Sequence, residues 1–313
     1  MRVSVVCIAI VTGTCVAVTC DVARAQPDRI DTIRTPPSSA LTEFWTPQQL
    51  QDAQPMPLPV VDPSTLGPTD PAEPYSGASR SGAAKGPRNQ DSGVSGNASM
   101  EPLSRAGKLF FNKGGKGWVC SAQFIAPGIL ITAAHCVRDD VTGQWYTNIL
   151  YKHGYFRGQG ISFSSQCALT YNGWVSRDET KKWVWDYAMI KVRGGTDQGY
   201  FGWQYGWWGQ YSTAPKIGYP VDIEQGQVIQ VEFGRLIKGY QRGLVGLNHG
   251  NPRSGGGSSG GAWVGRYGQT GNPQSNYIIS VTSHSINGND SIDYGPYWDN
   301  NMESLMNSAK RCS

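Results

Sequence analysis

The chain has 313 residues, enough for about two domains and a sizeable core. Hydrophobic residues make up 39% and charged residues 16%, which excludes a charge-rich disordered chain. The 40 Gly, 19 Pro, 11 Trp and 15 Tyr exclude a helical bundle or coiled coil and favour a turn-rich β architecture, and a net charge of +4 is too small to indicate a nucleic-acid partner.

Three zones differ in character. In residues 1–25, Arg2 precedes an apolar run from Val3 to Thr19, followed by the small-x-small site Ala23-Arg24-Ala25. That is the layout of a secretory signal peptide. A membrane anchor would need a longer apolar run with no cleavage site, and Thr19 is a poor neighbour for lipid attachment at Cys20. The expected product is secreted, or periplasmic in a Gram-negative cell, with no membrane association once the signal is removed. Its removal takes away Cys7, Cys15 and Cys20 and leaves Cys120, Cys136, Cys167 and Cys312. An even number in an exported chain suggests two disulfides with three connectivities open. A Cys120–Cys136 bridge would close a short loop and contribute roughly 3 kcal/mol in the chain-entropy model, leaving Cys167 and Cys312 to each other. No close Cys pair has a matching Cys or His pair, so no metal site is expected.

Residues 26–102 hold 13 of the 19 Pro and carry 5 Lys/Arg against 9 Asp/Glu. Pro denies the backbone donors that a sheet needs, and the segment lacks the apolar mass to fold alone. One island, Ala40 to Gln54, contains Phe44, Trp45 and Leu50 and could dock as a short helix. The zone reads as a propeptide removed on activation, with a flexible spacer as the alternative.

Residues 103–313 carry 20 Lys/Arg, 13 Asp/Glu and 33 of the 40 Gly. Strands are expected at Lys108–Phe111, Gly117–Phe124, Gly128–Ala134, Trp183–Val192, Ile217–Val221, Gln227–Phe233 and Asn276–Ser283, with Ala126-Pro127-Gly128 as a turn. The one helix expected is terminal, Trp298–Lys310, with Met302, Leu305 and Met306 on one face. The aromatic run Tyr200–Tyr211 reads as core and packing between halves, with a binding stripe as the alternative. Many short strands and one late helix fit an all-β pair of barrels.

Three segments carry chemistry. In Ile131-Thr132-Ala133-Ala134-His135-Cys136 a histidine directly follows a buried strand, and Cys136 could tie its loop back to Cys120. A ring so anchored can hold one tautomer, as a general base requires, although a histidine in this position alone is more often structural than catalytic. Asp186 lies in an apolar run, where an ionised and unpaired carboxylate costs several kcal/mol, so it needs a donor such as an imidazole N–H. In Gly255-Gly256-Gly257-Ser258-Ser259-Gly260-Gly261 the glycines permit a backbone that points two N–H groups into one hole beside a serine. A Gly/Ser linker is the alternative, but Ala262-Trp263-Val264 follows at once. The tract lacks the Lys of a phosphate loop.

Thr132-Ala133-Ala134-His135-Cys136, Asp186-Tyr187-Ala188-Met189-Ile190 and Gly257-x-Ser259-Gly260-Gly261, in that order, resemble the trypsin/chymotrypsin-like serine peptidases. The gaps of 51 and 73 residues, Ile217-Gly218-Tyr219-Pro220 and the GSSGG form are closest to the bacterial-type, glutamyl-endopeptidase-like (V8-like) branch. The resemblance covers roughly residues 103–300. It implies two packed six-stranded antiparallel β-barrels, about 103–200 and 205–297, with a terminal helix at about 298–310. It implies a secreted serine endopeptidase with Ser259 as nucleophile, His135 as general base and acid, and Asp186 orienting the imidazole. The N–H groups of Gly257 and Ser259 would form the oxyanion hole. No cofactor is implied, and a monomer acting on protein or peptide substrates is expected.

Two departures matter. Many members have Asp directly before the nucleophile, where this chain has Ser258, and no Ile-Val-Gly-Gly-like start precedes Leu109. Activation by insertion of a new N-terminus is therefore not expected, and the 26–102 leader is expected to restrain the enzyme. Arg80, Lys85, Arg88 and Arg105 are candidate maturation sites. For specificity, Arg253 stands six residues before Ser259, where it could favour acidic side chains through a bidentate pair or could be a solvated loop cation. Thr282, Ser283 and His284 should wall the same pocket. His153 and His249 have no ligand spacing and read as surface or core residues. Two alternatives of other classes are a non-catalytic protein-binding relative of the same fold and an esterase using the same triad.

Overall fold

The computed structural model describes residues 6–9, 16–19, 28–35, 44–66, 94–176, 178–251, 255–268, 276–287 and 289–312. Six antiparallel strands form a closed barrel. In spatial order they are Thr147–Phe156, Ala106–Lys113, Lys116–Ala126, Ile129–Thr132, Ala188–Val192 and Gln159–Tyr171. The last pairs with the first through Leu150↔Ser164 and Tyr151↔Phe163, and this closes the ring. The tight Lys113–Lys116 hairpin is possible because Gly114 and Gly115 take φ of 62° and 81°, a region open to glycine at no steric cost.

A second sheet follows. Its main path runs Tyr277–Val281, Ala262–Gly265, Thr213–Gly218, Gln230–Lys238, Leu244–Asn248, Asn289–Pro296 and His284–Ile286. Ser280 Oγ donates to Pro296 O at 2.9 Å and Ser283 N to Tyr294 O at 3.0 Å, which draws the ends of this path together. The two halves meet along a polar and aromatic seam. Lys108 Nζ donates to Gly226 O at 2.8 Å, and Tyr219 Oη donates to Tyr155 O at 2.9 Å.

The terminal helix, Asn301–Arg311, buries Met302, Leu305, Met306 and Ala309. It lies back on the first barrel, where Tyr171 Oη donates to Asn301 O at 2.8 Å and Cys312 is bonded to Cys167. The second disulfide joins Cys120 to Cys136. In the aromatic run, Phe201 and Trp207 are fully buried, and Trp207 Nε1 donates to Ile279 O at 2.9 Å.

The strand expected at Ile217–Val221 lies earlier, at Thr213–Gly218, and two larger expectations change. The strand expected over Trp183–Val192 begins only at Ala188, because Lys182–Trp185 forms a 3-10 turn. The apolar character of its first half serves packing: Trp183 lies 5.7 Å from the Trp174 ring and 4.3 Å from the His284 ring. The leader, expected to be poor in sheet donors, nonetheless enters both sheets. Ile30–Arg34 pairs with the Gln159–Tyr171 strand, Gln54–Pro55 with Lys116–Ala126, Val60–Val61 with His284–Ile286, and Val94–Ser95 with Gln230–Lys238. Three of these four pairings are only two residues long, so the intervening prolines need not donate. Between them, the helix Pro47–Asp52 starts at a capping box of Thr46 and Gln49. Beside it Trp45 is buried, 5.6 Å from the Phe110 ring, with Nε1 donating to Asn148 O at 2.6 Å. In the first 25 residues, Val6–Ala9 and Val16–Thr19 pair antiparallel.

Candidate catalytic site

His135 sits in the 3-10 turn Ala134–Cys136 that follows the Ile129–Thr132 strand, and the Cys120–Cys136 bond ties this turn to the neighbouring strand. Asp186 caps the 3-10 turn Lys182–Trp185, directly before the Ala188–Val192 strand that pairs with Ile129–Thr132. Two adjacent strands thus deliver both residues to the same end of the barrel. The carboxylate takes the backbone N–H of His135 on Oδ1 at 2.9 Å and faces the ring Nδ1 with Oδ2 at 2.8 Å. Ser283 Oγ donates to the same Oδ2 at 2.5 Å.

Asp186 is fully buried, and burial alone would raise its pKa. The His135 charge and the hydrogen bonds from His135 and Ser283 outweigh that effect and hold the carboxyl below its usual range. Behind it, His284 Nδ1 lies 2.8 Å from Ser283 Oγ, and Tyr240 Oη lies 2.8 Å from His284 Nε2. His284 is completely enclosed, and burial pushes it down to about 3, so it is neutral, with one donor and one acceptor nitrogen. The only consistent order runs Tyr240 O–H to His284 Nε2, His284 Nδ1–H to Ser283 Oγ, and Ser283 O–H to Asp186.

The Gly255–Gly261 loop is clamped by its carbonyls. Val221 N donates to Gly256 O at 2.9 Å, Ser121 Oγ to Gly257 O at 2.8 Å, Gly261 N to Ser258 O at 2.9 Å and Ser121 N to Ser259 O at 2.8 Å. In a planar trans peptide the following N–H points the opposite way, so the N–H groups of Gly257 and Ser259 face away from these donors. Gly257 holds φ at 88°, and a Cβ there would lie 2.7 Å from Tyr219 O. At Gly260 a Cβ would come within 2.1 Å of Thr132 Oγ1 and 2.8 Å of Ala133 N. The residue after Ser259 therefore rests directly on the turn that carries His135. Gln123 Nε2 bridges the two segments, bonding Ile131 O at 3.1 Å and Gly260 O at 3.0 Å. Ser259 Oγ and His135 Nε2 are both buried with no hydrogen-bond partner among the described residues. They are a hydroxyl and a ring nitrogen, complementary in kind.

The other expected residues fall as follows. Thr282 is buried and its Oγ1 accepts from Trp263 Nε1 at 3.0 Å. Ser283 joins Asp186, and His284 joins the chain behind it. Arg253 lies outside the described residues, as do Arg80, Lys85 and Arg88. Arg105, a candidate maturation site, is buried, with Nε on Glu101 at 2.6 Å, so a protease has no access to it. Ser258 closes its own loop by donating to Gly255 O at 2.9 Å. His153 packs 5.2 Å from the Phe124 ring and burial lowers it to about 4. His249 lies 3.4 Å from Glu232 and 3.6 Å from Asp293, which share Lys216 at 2.8 and 2.6 Å. Cys120, Cys136 and His135 come within 4.8 Å of one another, but both sulfurs are spent in the disulfide. Ser121, Gln123 and Tyr240 carried no signal in the sequence.

No protein-family model matches the chain. No curated protein matches it. Solved structures do. The protease Anisep from Arthrobacter nicotinovorans is 25% identical over 67% of this chain and 97% of its own, with a TM-score of 0.54. A thermostable serine protease, AL20, from an extremophilic microorganism is 21% identical over 67% of this chain and 98% of its own, with a TM-score of 0.54. A Glu endopeptidase is 19% identical over 71% of this chain and 97% of its own, with a TM-score of 0.55. The closed six-stranded barrel, second sheet and terminal helix constitute the chymotrypsin-like fold, and the structural likeness is to chymotrypsin-like serine proteases.

Proposed function

We propose that the protein is a secreted serine endopeptidase. The observation that carries this reading is the pairing of His135 with Asp186 at 2.8 Å beside a clamped loop that holds Ser259. Ser259 Oγ attacks the scissile carbonyl while His135 Nε2 accepts its proton, and the oxyanion takes the N–H groups of Gly257 and Ser259. His135 then delivers the proton to the leaving amine, which leaves an ester on Ser259. Water, deprotonated by the same imidazole, hydrolyses that ester. Asp186 keeps the ring in the Nδ1–H tautomer and stabilises the imidazolium. The Ser259–His135 hydrogen bond forms on substrate binding, as catalytic contacts commonly tighten only in the complex.

The signal at 1–25 exports the chain and the leader is a removable propeptide. A preference for acidic residues before the scissile bond rests on Arg253, six residues before Ser259. Comparing cleavage after Glu, Arg and Phe in otherwise identical peptides tests that preference.

The unmade Ser259–His135 bond is the observation that would favour a non-catalytic protein-binding relative. A serine-directed fluorophosphonate separates the two. The peptidase is labelled on Ser259 and loses the label on Ser259→Ala, whereas the binding relative is not labelled.

A further inference from the structure

We propose that Gln54–Val61 (QPMPLPVV) is an internal strap that keeps the enzyme latent by laying its backbone across the active-site cleft, with the Met56 carbonyl seated on the Gly257 N–H. This rests on the reading of Ser259 as nucleophile and Gly257 as an oxyanion donor.

The strap crosses from one half of the molecule to the other and is hydrogen-bonded on both sides. Gln54 and Pro55 pair with Trp118 and Val119 of the first barrel, next to Cys120 and its bond to the His135 turn. Met56 N donates to Val119 O at 2.9 Å. Its carbonyl then accepts from Gly257 N at 2.9 Å. On the far side Ser285 N donates to Pro59 O at 2.9 Å and Asn287 N donates to Val61 O at 2.9 Å. Ser285 is two residues from Ser283, the donor to Asp186. The approach is close: a Cβ on Gly256 would lie 2.6 Å from Met56 O.

Chemistry explains why such a segment blocks the site. An N–H that is to stabilise a developing oxyanion cannot also be held by a ground-state carbonyl, so a substrate must first displace Met56. Displacement is opposed by the side chains, since Val61 is buried and Met56 packs against the first barrel's core. Pro55, Pro57 and Pro59 fix φ and push the residues before them into extended backbone, so little chain entropy opposes docking. The bond after the seated carbonyl, Met56–Pro57, is a tertiary amide with no N–H, unlike an ordinary peptide substrate. Flanking contacts anchor both ends: Trp45 on Asn148 O upstream, and Leu66 packed against the first barrel's core downstream.

The test uses the full chain and the rate at which a fluorophosphonate labels Ser259, with the modified residue mapped by peptide mass spectrometry. One variant replaces residues 54–61 by an equally long Gly/Ser segment. A second, Val61→Asp, places a charge at the strap's buried position without changing any residue of the domain. Both variants are expected to label at least tenfold faster than the unaltered chain, and the synthetic peptide QPMPLPVV should slow the Gly/Ser variant in a dose-dependent way. Equal labelling rates in all three, on Ser259, would overturn the strap and leave the peptidase intact. Failure of every form to label Ser259 would overturn the peptidase reading and the strap with it.

Discussion

Asp186 holds His135 at two points, taking its backbone N–H on one carboxylate oxygen and facing its ring Nδ1 with the other, at 2.9 and 2.8 Å. Both the position and the tautomer of the ring follow from this one buried group. Asp186→Asn offers an amide in place of one oxygen and stabilises the wrong tautomer. A loss of about 10⁴-fold in kcat is expected, with KM little changed, in steady-state hydrolysis of a peptide substrate.

Gly257 combines a φ of 88° with a Cβ position 2.7 Å from Tyr219 O. Gly257→Ala must therefore shift the backbone whose N–H is proposed to serve the oxyanion. A fall of about 10²–10³-fold in kcat is expected, the size seen when one such donor is lost. A thermal melt close to that of the parent would show that the effect is local.

His284 makes a pH-dependent contribution to stability with a definite sign. Its pKa is lowered to about 3 in the fold, chiefly by burial, whereas an unfolded histidine titrates near 6.5. Between those values the unfolded chain binds a proton that the folded chain does not, so stability falls as pH drops from about 6.5 towards 3. His284→Gln removes this linkage while an amide can still bridge Tyr240 and Ser283. Urea melts across that range should show a shallower acid slope for the variant.

Lys216 lies between Glu232 and Asp293, at 2.8 and 2.6 Å, inside the second sheet. Burial raises the Asp293 pKa, but the Lys216 charge and His249 hydrogen bond prevail and hold it below the usual carboxylate range. Lys216→Met leaves two buried carboxylates without their cation, and a loss of about 3–5 kcal/mol is expected near neutral pH. The contribution of a lowered carboxyl is present above its unfolded value and lost as pH falls. The gap between parent and variant should therefore narrow below about pH 4 in denaturant melts.

The three candidate segments were legible because each sets a local rule in conflict with its surroundings. His135 ends an apolar strand, Asp186 interrupts an apolar run, and Ser259 is ringed by glycines. The Thr147–Phe156 and Gln159–Tyr171 hairpin was not legible, because the second strand opens on four exposed residues, is populated in its first half by Gln, Gly and Ser, and turns buried only further on, so no clean alternation marks it. Ser121, Gln123 and Tyr240 were invisible for a different reason: each has a partner far along the chain, 136, 137 and 44 residues away, and nothing in their neighbours announces a bond. The leader pieces pair over as few as two residues, too short for any periodic signal. Their docking is written in tertiary contacts alone.

The central claim is that the Ser259 hydroxyl is made nucleophilic by His135. It is tested most directly by mapping the residue that a fluorophosphonate modifies in the Val61→Asp chain, alongside the same chain carrying His135→Ala. The expected result is a single adduct on Ser259 that disappears when His135 is replaced. An adduct on another residue, or labelling of Ser259 unaffected by loss of the imidazole, would contradict it.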